Sequence, residues 1–364
     1  MTKLFLLSLV SLSLACLSLA MAMPSEYSIL NHDEQLNKFA SSEEGVFQIF
    51  QLWQKKHGRE YGNSEEEANR FQIFKKNLLH INEMNAKRKS PLEHSLGLNK
   101  FADMSPEEFK KTYLHEVEKP STSKWGSNRK VDDEDSRENL PDFVDWRERG
   151  AVTEVRDQGN CQSHWAFSVT GAIEGLNKIL TGNLVTLSAQ QLVDCDPASN
   201  GCAGGYYFNA FGYVIKNGGI DTEADYPYIA QNGTCKQKAN NVVSIDNLKV
   251  LDGSEEALLR RVSKQPVTTS LDASNLQLYN GKIYDGVFCS ESSKFTNLVV
   301  LIVGYGSVDG VDYWIVKNSW GKDWGVDGYL YLLRNVSSRW PYGVCGINAL
   351  AGYPVKNYPF SLST

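Results

Sequence analysis

The sequence predicts an α+β protein, a helical half and a β-rich half facing one another across a cleft, preceded by a separate helical unit. Three observations carry this. Between about Glu43 and Leu114 the chain is rich in Glu, Lys, Phe and Leu, repeats apolar residues at helical spacing and contains no cysteine. The stretch 119–139, with the acidic run Asp132-Asp133-Glu134-Asp135, has few large apolar residues and reads as an exposed linker. Beyond Leu140 the chain is dense in Gly, Tyr, Trp and Cys, with helical patterns first and strand patterns second.

Composition supports a folded, secreted protein. At 364 residues the chain exceeds one typical domain, and 41% hydrophobic with 22% charged residues is the balance of a globular protein. A formal charge of −6 leaves no basic surplus to neutralise a phosphate backbone, so no nucleic-acid partner is expected. Residues 1–22 read as a signal peptide cleaved after Ala22: Lys3 precedes an apolar run from Leu4 to Ala20, which ends at the small-x-small pattern Ala20-Met21-Ala22. A membrane anchor is the alternative, but the run carries four serines and stops at the processing pattern. No membrane association is expected once it is removed. The secretory route leads to a vacuole, a lysosome-like compartment or the extracellular space.

Residues 23–139 form a pro-region whose helical part spans about 43–114. Glu66, Arg70, Phe74, Asn77, Ile81 and Asn85 are spaced by three or four and share one helix face, which periodicity alone would assign to an ordinary amphipathic helix. Gly97-x-Asn99-x-Phe101-x-Asp103 reads as extended, and Ser105-Pro106-Glu107-Glu108 as a helix start. In the last segment, 140–364, a buried helix is expected from Trp165 to Leu180, stopped by Gly182, with shorter helices at Gln190–Cys195 and Ala257–Lys264. Strands are expected at Val299–Gly304, Tyr313–Lys317 and Gly328–Arg334.

Six cysteines follow the signal: Cys161, Cys195, Cys202, Cys235, Cys289 and Cys345. An even count in an exported chain points to disulfides, and spacing alone leaves fifteen pairings open. The sequons Asn232-Gly233-Thr234 and Asn335-Val336-Ser337 are candidate glycosylation sites.

Three stretches, Gln158 to Ser168, Asn297 to Gly306 and Asn318-Ser319-Trp320-Gly321, resemble the cysteine, histidine and asparagine segments of papain-like cysteine proteases of the plant type. The Glu66–Asn85 face and Gly97–Asp103 resemble the two motifs of that family's inhibitory pro-domain. The resemblance implies a helical half and a β-barrel-like half enclosing a cleft, with the pro-region lying in it. It also implies the pairings Cys161–Cys202, Cys195–Cys235 and Cys289–Cys345, which leave no free thiol in the mature segment.

In that family a cysteine at a helix N-terminus is held as a thiolate by the helix dipole and a neighbouring imidazolium, an asparagine orients the histidine, and a glutamine helps bind the oxyanion. Here the nucleophile position is His164 and the base position is Leu298, while Asn318 and Gln158 retain the orienting and oxyanion positions. His32, His57, His80, His94 and His115 all precede the mature segment, so His164 is its only histidine. The positive end of the helix dipole disfavours a charged imidazole there, and His164 is expected to be neutral, next to Leu298. Gln162 replaces a family glycine and is expected to crowd the cleft. Gly204 and Gly205 retain the family's peptide-binding glycines, Tyr206 and Tyr207 stand at the wall of a side-chain pocket, and Trp320 covers the asparagine; all of these can equally be structural. With one histidine and no free cysteine, no metal or cofactor is expected.

The reading that follows is an inactive homologue with a binding, storage or defence role; the alternative is a secreted or vacuolar cysteine-type endopeptidase active in protein breakdown. Its expected partners are its own pro-region, and peptides or protease inhibitors, and it is expected to be a monomer. Another protease would have to remove the pro-region, with Asn139 a candidate cut site.

Overall fold

The structure, a computed structural model, describes residues 42–115, 140–236, 240–289, 296–336 and 340–357. The signal segment, the linker with Asn139, and Ser337 of the second sequon lie outside these residues. The chain divides into two compact units, Met1–Leu52 and Trp53–Thr364, and the division falls inside helix α1, Glu43–His57. In the first unit the described residues are the opening turns of α1, with Glu43 and Glu44 at the positive end of the helix dipole. The second unit holds the rest of the helical pro-segment together with the whole cysteine-bearing domain.

Helix α2, Ser64–Ala86, starts at Asn63, whose side chain accepts from the Glu66 backbone N–H at 2.9 Å. Phe74, Asn77 and Ile81 are buried, Arg70 and Asn85 half-buried, and Glu66 lies exposed at the helix start. The polar members of this face are anchors. Asn77 donates to Ala102 O at 2.8 Å and Met104 O at 2.9 Å, Asn85 brackets the backbone of Leu96 at 2.9 and 3.0 Å, and Arg70 reaches Asp103 O and Glu108. What they hold is a folded segment rather than the extended one the sequence suggested. After strand β1, Ser95–Leu96, backbone bonds Asn99→Gly97, Ala102→Asn99 and Met104→Phe101 wind it into successive turns. Phe101 and Ala102 are both buried, which a flat alternating strand would not allow. Helix α3, Pro106–Tyr113, then starts with the reciprocal capping box of Ser105 and Glu108.

In the cysteine-bearing domain the helical half comprises α4 (His164–Thr181), α5 (Ala189–Cys195) and α6 (Tyr207–Asn217). Gly182 ends α4 in the left-handed conformation at φ +78°. The sheet takes the strands β2 (Val144–Asp145), β3 (Asn247–Val250), β4 (Val267–Leu271), β6 (Ile283–Tyr284), β7 (Leu298–Val308), β8 (Val311–Lys317), β9 (Tyr329–Leu333) and β10 (Ala351–Val355) in the order β3-β10-β4-β7-β8-β9-β6, with β2 also on β7. All pairs are antiparallel except β6 with β9. A short strand β5 (Tyr279–Gly281) pairs instead with β1 of the pro-segment, and α7 spans Glu255–Val262.

Helix α4 is the element that joins the halves. Its Ser168 hydroxyl donates to Val300 O at 2.7 Å, and a Cβ on Gly171 would sit 2.8 Å from Leu301, so glycine sets how closely the helix approaches β7. Disulfides join Cys161 to Cys202, Cys195 to Cys235 and Cys289 to Cys345. Among the described residues no helix is long and apolar enough to cross a membrane.

Candidate active site

The loop before α4 is pinned from three sides. Cys161 is bonded to Cys202, Gln162 N–H donates to Cys202 O at 3.0 Å, and Gln158 N–H donates to Ser319 O at 2.8 Å. Gln158 is wholly buried and both ends of its side-chain amide are bonded inside the protein: Nε2 to Cys161 O at 2.9 Å, Oε1 to the Ser319 hydroxyl at 2.8 Å. It therefore braces the loop to the segment carrying Asn318.

His164 is the first residue of α4 and is fully buried. Its Nδ1 accepts from the Val299 backbone N–H at 3.1 Å, and its Nε2 faces Nδ1 of His115 at 2.9 Å. The two rings stack, with centroids 4.6 Å apart and planes at 19°. Burial holds the His164 imidazole well below its ordinary value, and the neighbouring His115 lowers it further; burial likewise lowers His115, partly opposed by its bond to Gly205. Leu298 is buried beside Val299 and pairs across the sheet with Leu271. Beneath His164 lies a cavity of about 20 Å³, lined also by Arg156, Lys317, Asn318 and Ser319, room for roughly one water. Asn318 Oδ1 accepts from Ser319 N–H at 2.8 Å, and its buried Nδ2 has no protein partner.

The pro-segment covers this site. Phe101, Phe109 and Tyr113 set their rings edge-on against buried Trp320, at 5.7, 5.1 and 6.3 Å. Asn99 donates to Gln277 O at 2.8 Å, and Gln277 returns bonds to Phe101 O and Met104 O at 3.0 and 2.7 Å. Lys100 pairs with Asp157. Gln162 Nε2 donates to Lys111 O at 2.7 Å and so holds the last turn of α3. His115 lies against Gly204 and Gly205: its Nε2 is 3.1 Å from Gly205 O, to which it can only donate, and 3.3 Å from Gly205 N–H, from which it can only accept. Tyr206 is half-buried with its hydroxyl turned inward. Tyr207 is not a pocket wall: it is fully buried and donates to Leu350 O at 2.6 Å.

Two features escape the sequence. His115 counts as a pro-region histidine in any inventory, yet the fold delivers it to His164. Behind the site Lys317, half-buried and pushed down to about 8 by loss of solvent around its ammonium group, donates to Thr153 O and Oγ1 at 2.8 and 3.0 Å. Thr153 in turn donates to buried Glu174 at 2.7 Å, which faces Arg156 at 3.6 Å. Among the described residues no group of three or more His, Cys, Asp or Glu side chains could hold a metal.

These features define a class: a cleft-bearing α+β domain with a helical pro-segment bound over its active-site helix. A family profile described as "Papain family cysteine protease" matches residues 140–355, and one described as "Cathepsin propeptide inhibitor domain" matches residues 50–109. The chain belongs to the papain family of cysteine proteases. The "P34 probable thiol protease" of Glycine max is 46% identical over 360 residues, 96% of this chain and 93% of that protein. The "Cysteine proteinase RD21A" of Arabidopsis thaliana is 44% identical over 362 residues, covering 95% and 75% respectively. Among solved structures, the proform of the Amb a 11 cysteine protease, a major ragweed pollen allergen, matches with a TM-score of 0.79 at 38% identity, over 90% of this chain and 98% of that one.

Proposed function

We propose that this chain is a catalytically inactive member of its family, a secretory-pathway protein whose cleft binds rather than cuts, in a binding, storage or defence role. One observation carries the reading. The first residue of α4, where the family places its nucleophile, is an imidazole with both ring nitrogens bonded, and all six cysteines beyond the signal are in disulfides. Peptide hydrolysis of this type needs a thiolate beside a base. Leu298 at the base position supplies no proton acceptor, and Asn318 and Gln158 cannot act without the pair they serve.

The names of the relatives favour a second reading, a cysteine-type endopeptidase active in protein breakdown. It would require Cys161 to serve as nucleophile, but Cys161 is buried, bonded to Cys202 and precedes the helix. An irreversible thiol-directed epoxide, added to the non-reduced chain and followed by mass spectrometry, separates the two. No labelling is expected; modification of Cys161 or any other cysteine would sink the inactive reading.

The domain plan goes with this reading: signal 1–22, pro-region 23–139, mature domain 140–364, with removal of the pro-region left to another protease cutting near Asn139. Of the two sequons Asn232 is the readier to carry a glycan. It is exposed and uses its Oδ1, not its Nδ2, to accept from Cys202 N–H at 2.7 Å, whereas Asn335 Nδ2 is bonded to Asp312 at 3.1 Å.

A further inference from the structure

We propose that His164, Gly204, Gly205 and Asn297 form a recognition slot for a peptide side chain bearing a neutral imidazole, occupied in the full chain by its own His115. The inference deepens the non-catalytic reading of the cleft and rests on it.

The hydrogen bonds fix the protons. A backbone N–H can only donate, so the Val299 bond at 3.1 Å obliges His164 Nδ1 to be unprotonated. The proton of the neutral ring is then on Nε2, where it donates to His115 Nδ1 at 2.9 Å. That makes Nδ1 of His115 an acceptor and puts its own proton on Nε2, which donates to Gly205 O at 3.1 Å; the Gly205 N–H, 3.3 Å from the same nitrogen, then finds no lone pair there. The assignment therefore rests on the Val299 end of the relay, from which three bonds run in one direction.

The slot is also shaped for a flat ring. His164 forms one wall, stacked at 4.6 Å, and Gly204 the other: at φ +107° a Cβ there would sit 2.6 Å from the His115 ring. The occupant's backbone N–H is held by Asn297 O at 3.1 Å. The chemistry asked for is one acceptor and one donor on opposite edges of a planar group. A carboxylate lacks the donor, lysine and arginine lack the acceptor, and a carboxamide supplies both without the stacking ring.

An imidazolium is excluded as well. Protonating His115 sets two N–H groups against each other at His164 Nε2, and protonating His164 does the same at Val299. The titratable groups in play are the two imidazoles themselves, with Arg156 and Lys317 lining the cavity on the far side of His164 and Glu174 paired to Arg156 behind them. Burial, the dominant influence on both imidazoles, acts in the same direction.

Chemical rescue in the full chain tests this. Full-length His115→Ala, which empties the slot, should take up 4-methylimidazole saturably at pH 7.5, with binding weaker by more than about tenfold at pH 5.5 because only the neutral ring fits. Wild type, with the slot filled, and His115→Ala/His164→Leu, without the wall donor, should take up none. Equal uptake by all three chains, or none by a folded His115→Ala, would overturn the proposal. If His115→Ala does not fold, nitrogen-15 shifts of the histidines in the wild-type full chain decide: both rings should carry their proton on Nε2 at neutral pH, and an Nδ1–H tautomer at either overturns it. None of these readouts depends on hydrolysis, so peptidase activity could sink the non-catalytic reading while leaving the slot standing, and the reverse.

Discussion

Lowering the pH from 7 to 5 should loosen the pro-segment at His115, and the size of the effect follows from its hydrogen bonds. The perturbed equilibrium is local opening of residues 106–115 away from His164 and Gly205. In the open segment His115 titrates near the ordinary value of 6.5, whereas in the closed one burial lowers it and the relay to His164 has no place for a second proton. A group lowered on closing favours the closed state fully above the ordinary value and loses that contribution as pH falls below it. Each unit below 6.5 then costs at most about 1.4 kcal/mol, so opening should rise as pH falls, by up to about tenfold at pH 5.5 and up to about thirtyfold at pH 5. Hydrogen exchange of the 106–115 amides, corrected for intrinsic rates, reads this directly. His57, pushed down to about 4 by burial, and His94, also lowered by burial, face Asp323 and Asp285 and add their own acid dependence. The decisive quantity is therefore the difference between wild type and His115→Leu, which keeps His57, His94 and His164. The same slope in both chains between pH 7 and 5 would refute the reasoning.

Three further outcomes are expected. Asn77→Ala removes the bonds to Ala102 O and Met104 O and leaves the first carbonyl without its side-chain donor, while Met104 O keeps its bond from Gln277; the loss should be about 1–3 kcal/mol, read by thermal unfolding and early proteolysis of the 95–104 turns. Lys317, lowered to about 8 by burial, implies stability that is fullest above about 10.5 and lost as pH falls from there toward 8; wild type should gain thermal stability between pH 8 and 10, and Lys317→Met should not share that gain. Replacing both Cys161 and Cys202 by alanine frees a loop of 41 residues and should cost about 4 kcal/mol by chain entropy, measured by denaturant unfolding.

How much was legible in the sequence depended on how local the physics was. Helix α4 and its Gly182 stop, the capping box at Ser105, and the cores of strands β7, β8 and β9 each rest on residues within a few positions of one another, and they stand where the periodicity puts them. Gly97–Asp103 differs from the extended reading because polar Asn99 and Asp103 alternate with bulky neighbours in a turn as well as in a strand; what holds the turn is Asn77, distant in sequence, bonded to Ala102 O within it and Met104 O just beyond it. Tyr207 is core because Leu350 receives its hydroxyl, a contact no local pattern contains. Gln162 meets the pro-segment because the last turn of α3 brings the Lys111 carbonyl within its reach, again a contact outside any local pattern. His115 was hardest of all, since a count of residue types by segment cannot know which segments the fold superimposes.

The central claim, that the cleft lacks the chemistry its family uses, is tested most directly by turnover. The full chain, cut in the 119–139 linker by an added protease that is then removed, should hydrolyse an unstructured peptide no faster than the blank at any pH from 4 to 8. The same chain carrying His164→Cys and Leu298→His should show turnover that a thiol reagent abolishes. Thiol-sensitive hydrolysis by the unsubstituted chain would contradict the account.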